Sequence, residues 1–298
     1  MNTMSPTALG AGPGLRAMAG IEARRFARHP LFLLGAAATF VVTNLLVFND
    51  RDQVPGDLLS WPVVPAFFTG LTSLIVAARL TRSTESSEEA VGAMPGTEGR
   101  RTLAIALACV VPFAAGVIWL VNMLVLVAIW PPAPQEWWFS NTPDLQVWSA
   151  LIALGPVACL GGGLLGVLVG RWLRFPGAPA VAVLVVVVAT MLGSAPVDSG
   201  HPELRLWTPW SMFHSGTGDD GTQVLYAGSA FFYLCYTLCL CAMAVLGALW
   251  HDRTARSARL VISFVAVVVL AAGSLVLAMT TGIDHNLTSD PIPHKIND

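Results

Sequence analysis

Few residues in this chain are placed to do chemistry. The six histidines (His29, His201, His214, His251, His285 and His294) all fall between or beyond the apolar runs. None stands in an HExxH arrangement that could hold zinc beside a general base. The five cysteines lie inside apolar runs. Cys235 and Cys239 are one helical turn apart, a spacing open to a metal or a disulfide, but no acidic or imidazole group stands near enough in sequence to complete a site, and small apolar packing residues fit better. No GxSxG elbow presents a serine nucleophile. The only lysine is Lys295. The chain therefore cannot supply the lysine of a GxxxxGK[ST] phosphate loop, and any ATP-driven step needs an ATPase on another chain. No catalytic residue, metal site or cofactor of its own is expected.

The elements around these residues read as membrane spans. Of 298 residues 55% are hydrophobic and 11% charged, with a mean hydropathy of +0.67; soluble domains carry about 25% charged residues. Continuous apolar runs occur at Leu31–Phe48, Trp61–Ala78, Leu103–Trp130, Val147–Gly170, Ala178–Ala195, Leu225–Trp250 and Leu260–Thr281. Each is long enough to cross a bilayer, and none alternates as a barrel strand would. The fold class expected is an all-α integral membrane protein, a polytopic bundle of six to seven transmembrane helices with an N-terminal interfacial helix.

Charge gives the orientation. Arg16, Arg24, Arg25, Arg28, Arg79, Arg82, Arg100, Arg101, Arg171, Arg174, Arg253, Arg256 and Arg259 fall on one side of the alternating spans, against Arg51, Arg205 and Lys295 on the other. The positive-inside rule puts the first set in the cytoplasm. Seven spans then leave the C-terminal tail, 282–298, outside. The expected organisation is a cytoplasmic tail and interfacial helix over 1–30 and a transmembrane domain over 31–281. The domain contains a cytoplasmic loop at 79–101 and an outer loop at 196–224. A multi-pass protein of a bacterial plasma membrane, in contact with the lipid bilayer and not with nucleic acid, fits this layout.

All eighteen acidic and sixteen basic residues lie outside the apolar cores. An ion-coupled carrier usually keeps an ionisable group at membrane depth, so that class is disfavoured. Asn44, Thr72 and Asn122 are neutral candidates for a substrate path, although Asn122 suits helix–helix hydrogen bonding better. Gly162, Gly166 and Gly170 stack on one helix face and permit a close approach, either to another span or to another subunit. Over Leu15–His29, Leu15, Met18, Ala19, Ala23 and Phe26 gather opposite Arg24, Arg25 and Arg28, with Ile21 and Glu22 breaking the pattern. In the 79–101 loop, Ser86 and Glu89 form a capping-box pattern, predicting a short helix from Ser87 to about Met94 that stops at Pro95-Gly96.

This layout resembles the permease subunit of a type-2 ABC exporter. The resemblance rests on Glu22-Ala-Arg-Arg-Phe-Ala-Arg-His-Pro30 before the first span and on the loop Glu88-Glu-Ala-Val-Gly-Ala-Met-Pro95-Gly-Thr-Glu-Gly-Arg100-Arg-Thr-Leu103. It also rests on the apolar outer segment Leu206-Trp-Thr-Pro-Trp210-Ser-Met-Phe213. It covers Arg16 to about Trp250, and the seventh apolar run departs from the family's six spans. The resemblance implies a substrate pathway formed with a second copy or a related permease, ATP and magnesium held by separate ABC ATPase subunits, and contact with those subunits through Glu85, Glu88, Glu89, Met94, Pro95, Arg100 and Arg101. Arg24, Arg25, Phe26 and Arg28 would belong to the interfacial helix. A non-transporting anchor or accessory subunit of another membrane complex is the alternative.

Overall fold

The computed structural model describes residues 13–49, 61–91, 98–129, 143–194, 202–213, 224–252, 256–283 and 287–288, with side chains not described at 13, 49, 84–91, 194, 202, 224 and 287–288. Helix α1 (Pro13–Ala27) leads through His29 into α2 (Pro30–Asn49). Helix α3 begins at Val63–Pro65, passes a π-turn at Ala66–Gly70 and continues over Leu71–Val91. Helix α4 (Glu98–Ile129) is interrupted once, at Cys109. Helix α5 (Asp144–Trp172) contains a π-turn at Ala153–Val157, α6 is Ala178–Ser194, and a 3-10 turn follows at Pro202–Trp207. Helices α7 (Ala230–Trp250) and α8 (Ala258–Thr280) complete the bundle. Two-residue strands β1 (Val224–Leu225) and β2 (Leu287–Thr288) pair antiparallel.

Six of these helices, α2, α3, α4, α5, α7 and α8, are long and apolar enough to cross a membrane. Helix α6 is the shorter seventh apolar helix. Its ends pack against opposite faces of the bundle: Ala178 beside Ala78 and Val169, and Gly193 against Thr208. The chain is thus an all-α, multi-pass membrane protein whose outward side chains meet lipid. Helix α8 makes this plain, since only 6% of its most apolar window is buried. A hydrophobic helix turned outward along its length is stable in hydrocarbon and not in water.

Two helix ends differ from the sequence expectation. The capping box predicts a separate helix from Ser87 within the loop at 79–101, but α3 runs unbroken to Val91. Neither glycine nor proline lies between Leu71 and Val91, so nothing ends the helix, and a capping box inside a continuous helix caps nothing. The apolar run that opens at Leu225 becomes helical only at Ala230. Gly228 has φ +114°, outside the helical region, and its N–H and carbonyl pair with Ile283. Ser229 N–H donates to Ala278 O. The start of α7 is therefore fastened to the end of α8.

Helix α5 is the central element, packed against α3 on one side and α7 on the other. A Cβ at Gly162 would fall on the Gly70 carbonyl, and one at Gly166 on the Leu74 carbonyl; at Gly170 it would come within 2.8 Å of Thr81 Cβ. The glycine stripe thus serves contact within the chain, not a subunit interface. The π-turn in α5 accommodates Pro156, which cannot donate a helical hydrogen bond. Gly116 on α4 leaves room for it, since a Cβ there would lie 2.6 Å from Pro156 Cα. A pair of hydroxyls, Thr39 and Thr69, meet at 2.7 Å, and Trp119 Nε1–H donates to Thr43 at 2.8 Å. These bonds join α2 to α3 and to α4 and satisfy polar groups within the apolar interior.

Helix α1 is amphipathic in the expected sense. Phe26 is fully buried, Arg24 and Arg28 lie toward the surface with Arg25, and Ile21 points outward. Its packed face lies mainly against the start of α4, so protein rather than lipid takes much of it. Arg25 pairs with Glu22 at 2.9 Å and donates to Ser83 at 3.2 Å. His29 Nδ1 accepts the Leu31 N–H at 3.2 Å at the entry to α2. Burial, aided by the Arg79 charge, lowers the His29 pKa, which favours the neutral ring that this acceptor role requires.

Replacing Gly166 with alanine should lower the thermal midpoint of the purified protein in detergent, equivalent to about 1–3 kcal/mol of overpacking. Gly273→Ala on α8, where a Cβ meets nothing within 4 Å, should leave the midpoint unchanged or raise it. Equal behaviour of the two variants would contradict the close α3–α5 contact.

Candidate functional site

Two features of the bundle are built for more than packing: a polar junction on the arginine-rich face and an apolar cleft running between the two faces. The junction begins at the first turn of α4. Glu98 Oε1 lies 3.4 Å from Arg171 Nη1, at the end of α5, and 2.9 Å from His251 Nδ1, just past the end of α7. Asp252 Oδ2 accepts the Gly99 N–H at 2.9 Å. The placement follows from helix polarity. A first-turn N–H of α4 has no carbonyl partner within its own helix and takes a carboxylate, while Arg171 lies in the last turn of α5, where positive charge is favoured. Arg171 is 2% exposed, so its charge relies on such partners.

The junction extends sideways. Trp172 Nε1–H donates to Gly247 O at 2.9 Å, and its ring stands edge-on to His251. Arg82 on α3 donates to the Phe175 carbonyl at 2.7 Å in the turn between α5 and α6. Four helix ends are thereby tied at one level: α3, α4, α5 and α7. Of the residues expected to meet an ATPase, Arg100 is exposed and Arg101 is buried within this layer. Glu85, Glu88 and Glu89 lie on the last turns of α3, and their side chains fall outside the described residues, as do Met94 and Pro95. Sequence patterning marks Arg171 only as a positive flank and gives no signal for Glu98, His251 or Asp252. The acidic and imidazole partners are distant in the chain, and no local spacing joins them.

The cleft has a volume of about 800 Å³. Gly161 and Leu165 of α5 and Cys241 and Ala244 of α7 form its floor, with Val186 of α6 and Phe264 of α8 at its sides. Trp172 and Trp250 close the end nearest the arginine-rich face, and Pro209 and Trp210 the other. No charged residue lines it among the described residues, and its single hydroxyl, on Thr237, donates to the Leu234 carbonyl. The cleft is partly open at the surface of the bundle, and its lining is almost wholly apolar.

The expected pathway residues do not line the cleft. Asn44 Nδ2 donates to Phe40 O and Thr72 Oγ1 to Phe68 O, each within its own helix. Asn122 Nδ2 is buried on α4 with no partner among the described residues. The cysteines are free, with Cys241 in the cleft wall and Cys239 packed among apolar side chains. Among the described residues no cluster of three metal-ligating side chains occurs.

The end of the cleft away from the arginine-rich face is set by the segment Leu204–Phe213, which folds back into the bundle as a cap. Arg205 is buried there, donating from Nε to Met212 O and from Nη1 to Ala227 O, both at 2.8 Å. Its guanidinium lies 4.9 Å from the Tyr226 ring centre and 5.3 Å from that of Phe213. Burial lowers its pKa to about 10, which leaves it charged at neutral pH. Tyr233 of α7 accepts the Ser211 N–H and donates to the Thr208 carbonyl, each at 2.9 Å, and Tyr236 donates to Trp207 O. The apolar segment Leu206–Phe213 is thus fastened to the bundle by polar anchors.

Arg171→Gln should lower the detergent thermal midpoint by the equivalent of roughly 3 kcal/mol, and adding Glu98→Gln should cost much less than its single effect. Strict additivity would refute the pairing. Tyr233→Phe should cost about 1–2 kcal/mol by leaving Ser211 N–H unpaired, with increased proteolysis within the 204–213 cap as the local readout. Comparison of the chain with protein-family models, with curated proteins and with solved structures gives no match.

Proposed function

We propose that this chain is the membrane-embedded permease subunit of an ATP-driven exporter, working as a pair with a second copy or a related chain and powered by separate cytoplasmic ATPase subunits. The observation that carries this reading is the junction at Glu98. It ties the end of the expected ATPase-contact loop to the ends of α5 and α7, the two helices that floor the cleft. A push delivered at the start of α4 would therefore reach both helices through the Glu98 contacts. Helix α1 braces the start of α4 from the same face. With the arginine-rich face in the cytoplasm of a bacterial cell, the last turns of α3, carrying Glu85, Glu88 and Glu89, would project toward the ATPase.

The chain's own composition favours an external motor, since it has no lysine except Lys295 and its spans carry no acidic pair. An apolar cleft suits an amphipathic or hydrophobic cargo better than an ion or sugar.

Affinity purification of the tagged protein in mild detergent should recover a P-loop ATPase in near-equal amount. The double charge reversal Glu88→Lys with Glu89→Lys should reduce that recovery by about tenfold or more. A preparation free of ATPase, bound instead to a different membrane complex, would replace the exporter reading with that of an accessory subunit.

A further inference from the structure

The cleft between α6 and α8 combines three properties that together define a ligand class. It is apolar along its length, reaching from Trp172 and Trp250 at one face to Trp210 at the other. It is flanked by helices that face lipid: Leu184 and Val185 on α6 are exposed, as are Ile262 and Val265 on α8. Helices α6 and α8 share no extended contact with each other, so the space between them communicates with the bilayer.

The third property is charge at one end only. Arg174 follows Leu173 in the cleft wall, and Arg256 Nε–H donates to the carbonyl of Trp250, another wall residue. Arg259 stands at the start of α8, the helix that supplies Phe264. All three arginines are exposed. Among the described residues of this face, Glu98 is engaged with Arg171 and His251, and Asp252 with Gly99 N–H. An apolar slot beneath exposed guanidinium groups and an indole pair matches the chemistry of a phospholipid: chains within the slot, phosphate at the rim.

We propose that this cleft binds the acyl chains of an anionic lipid from the leaflet on the arginine-rich face, with Arg174, Arg256 and Arg259 receiving its headgroup. The site does not depend on the exporter reading; a lipid would bind equally in an accessory subunit.

The test is native mass spectrometry of the full-length, delipidated protein titrated with dioleoyl phosphatidylglycerol or dioleoyl phosphatidylcholine. The wild type should retain phosphatidylglycerol at about tenfold lower concentration than phosphatidylcholine. Val186→Trp and Leu240→Trp, made separately, each fill the cleft and should weaken that retention by about tenfold. Val185→Trp, on the lipid-facing side of the same helix, should bind as the wild type and controls for added bulk. Replacing Arg174, Arg256 and Arg259 together with glutamine should abolish the preference for phosphatidylglycerol. Unchanged retention in both filled variants would overturn the site, and equal retention of the two lipids by the wild type would overturn the headgroup assignment. A dimer that carries no lipid and is broken by Val186→Trp would overturn the lipid site and show that a second copy of the chain occupies the cleft.

Discussion

Helix α5 can occupy the centre of this bundle because Gly162, Gly166 and Gly170 have no side chains. Their Cα atoms lie directly against the backbone of α3, at Gly70, Leu74 and Ala78. In a bilayer the hydrophobic effect does not draw apolar helices together, since lipid tails are as apolar as leucine. Association depends on close van der Waals contact and on hydrogen bonds between helices. The glycine stripe maximises the first of these, and the remaining helices are arranged around the pair it creates. Helix α7 packs on the opposite side of α5, α4 fits against its π-turn through Gly116 and Pro156, and α6 covers one flank.

A tight central pair has a geometric consequence. The groove between α5 and α7 is lined by small residues, Gly161, Ala244 and Gly247, and α6 and α8 flank it without extended contact with each other. The cleft is what remains. Polar contacts help fix its ends, with Trp172 bonded to the Gly247 carbonyl at one end and the Arg205-anchored cap at the other, where Trp210 also packs against Ala66, Leu71 and Ala158. Buried polar groups are costly unless paired, so these contacts fix the positions of the end walls more sharply than apolar side chains would. Of the three stripe glycines, Gly162 also lines the cleft.

The two faces of the protein differ in how their charges are used. On the arginine-rich face Arg171 and Arg101 are buried, while Arg24, Arg28, Arg100, Arg174, Arg256 and Arg259 lie nearer the surface. Arg171 joins the end of α5 to the start of α4 through Glu98, and the arginines nearer the surface are exposed. On the opposite face Arg205 is buried and serves internal structure, bonded to two carbonyls of the cap and its neighbour. A count of charges by side sees one class of residue; the structure separates buried arginines such as Arg171 and Arg205 from exposed ones.

Composition and the placement of arginines were sufficient to determine that this is a helical, multi-pass membrane protein, because continuous apolar runs admit only helices in hydrocarbon and each run carries its own length. The amphipathic face of α1 was legible for the same reason, since Leu15, Met18 and Phe26 are related by local helical geometry. The glycine spacing showed that α5 approaches something closely, but not that the partner is α3. Only tertiary structure decided that, as it decided that Glu98 meets Arg171 and His251, that Ser86 lies within a continuous helix, and that Leu206–Phe213 is a seated cap. The cleft also belongs to this second group. It is bounded by helices whose residues carry no signal of their own, and an apolar cavity is made by where side chains are missing, which no local pattern of the chain records.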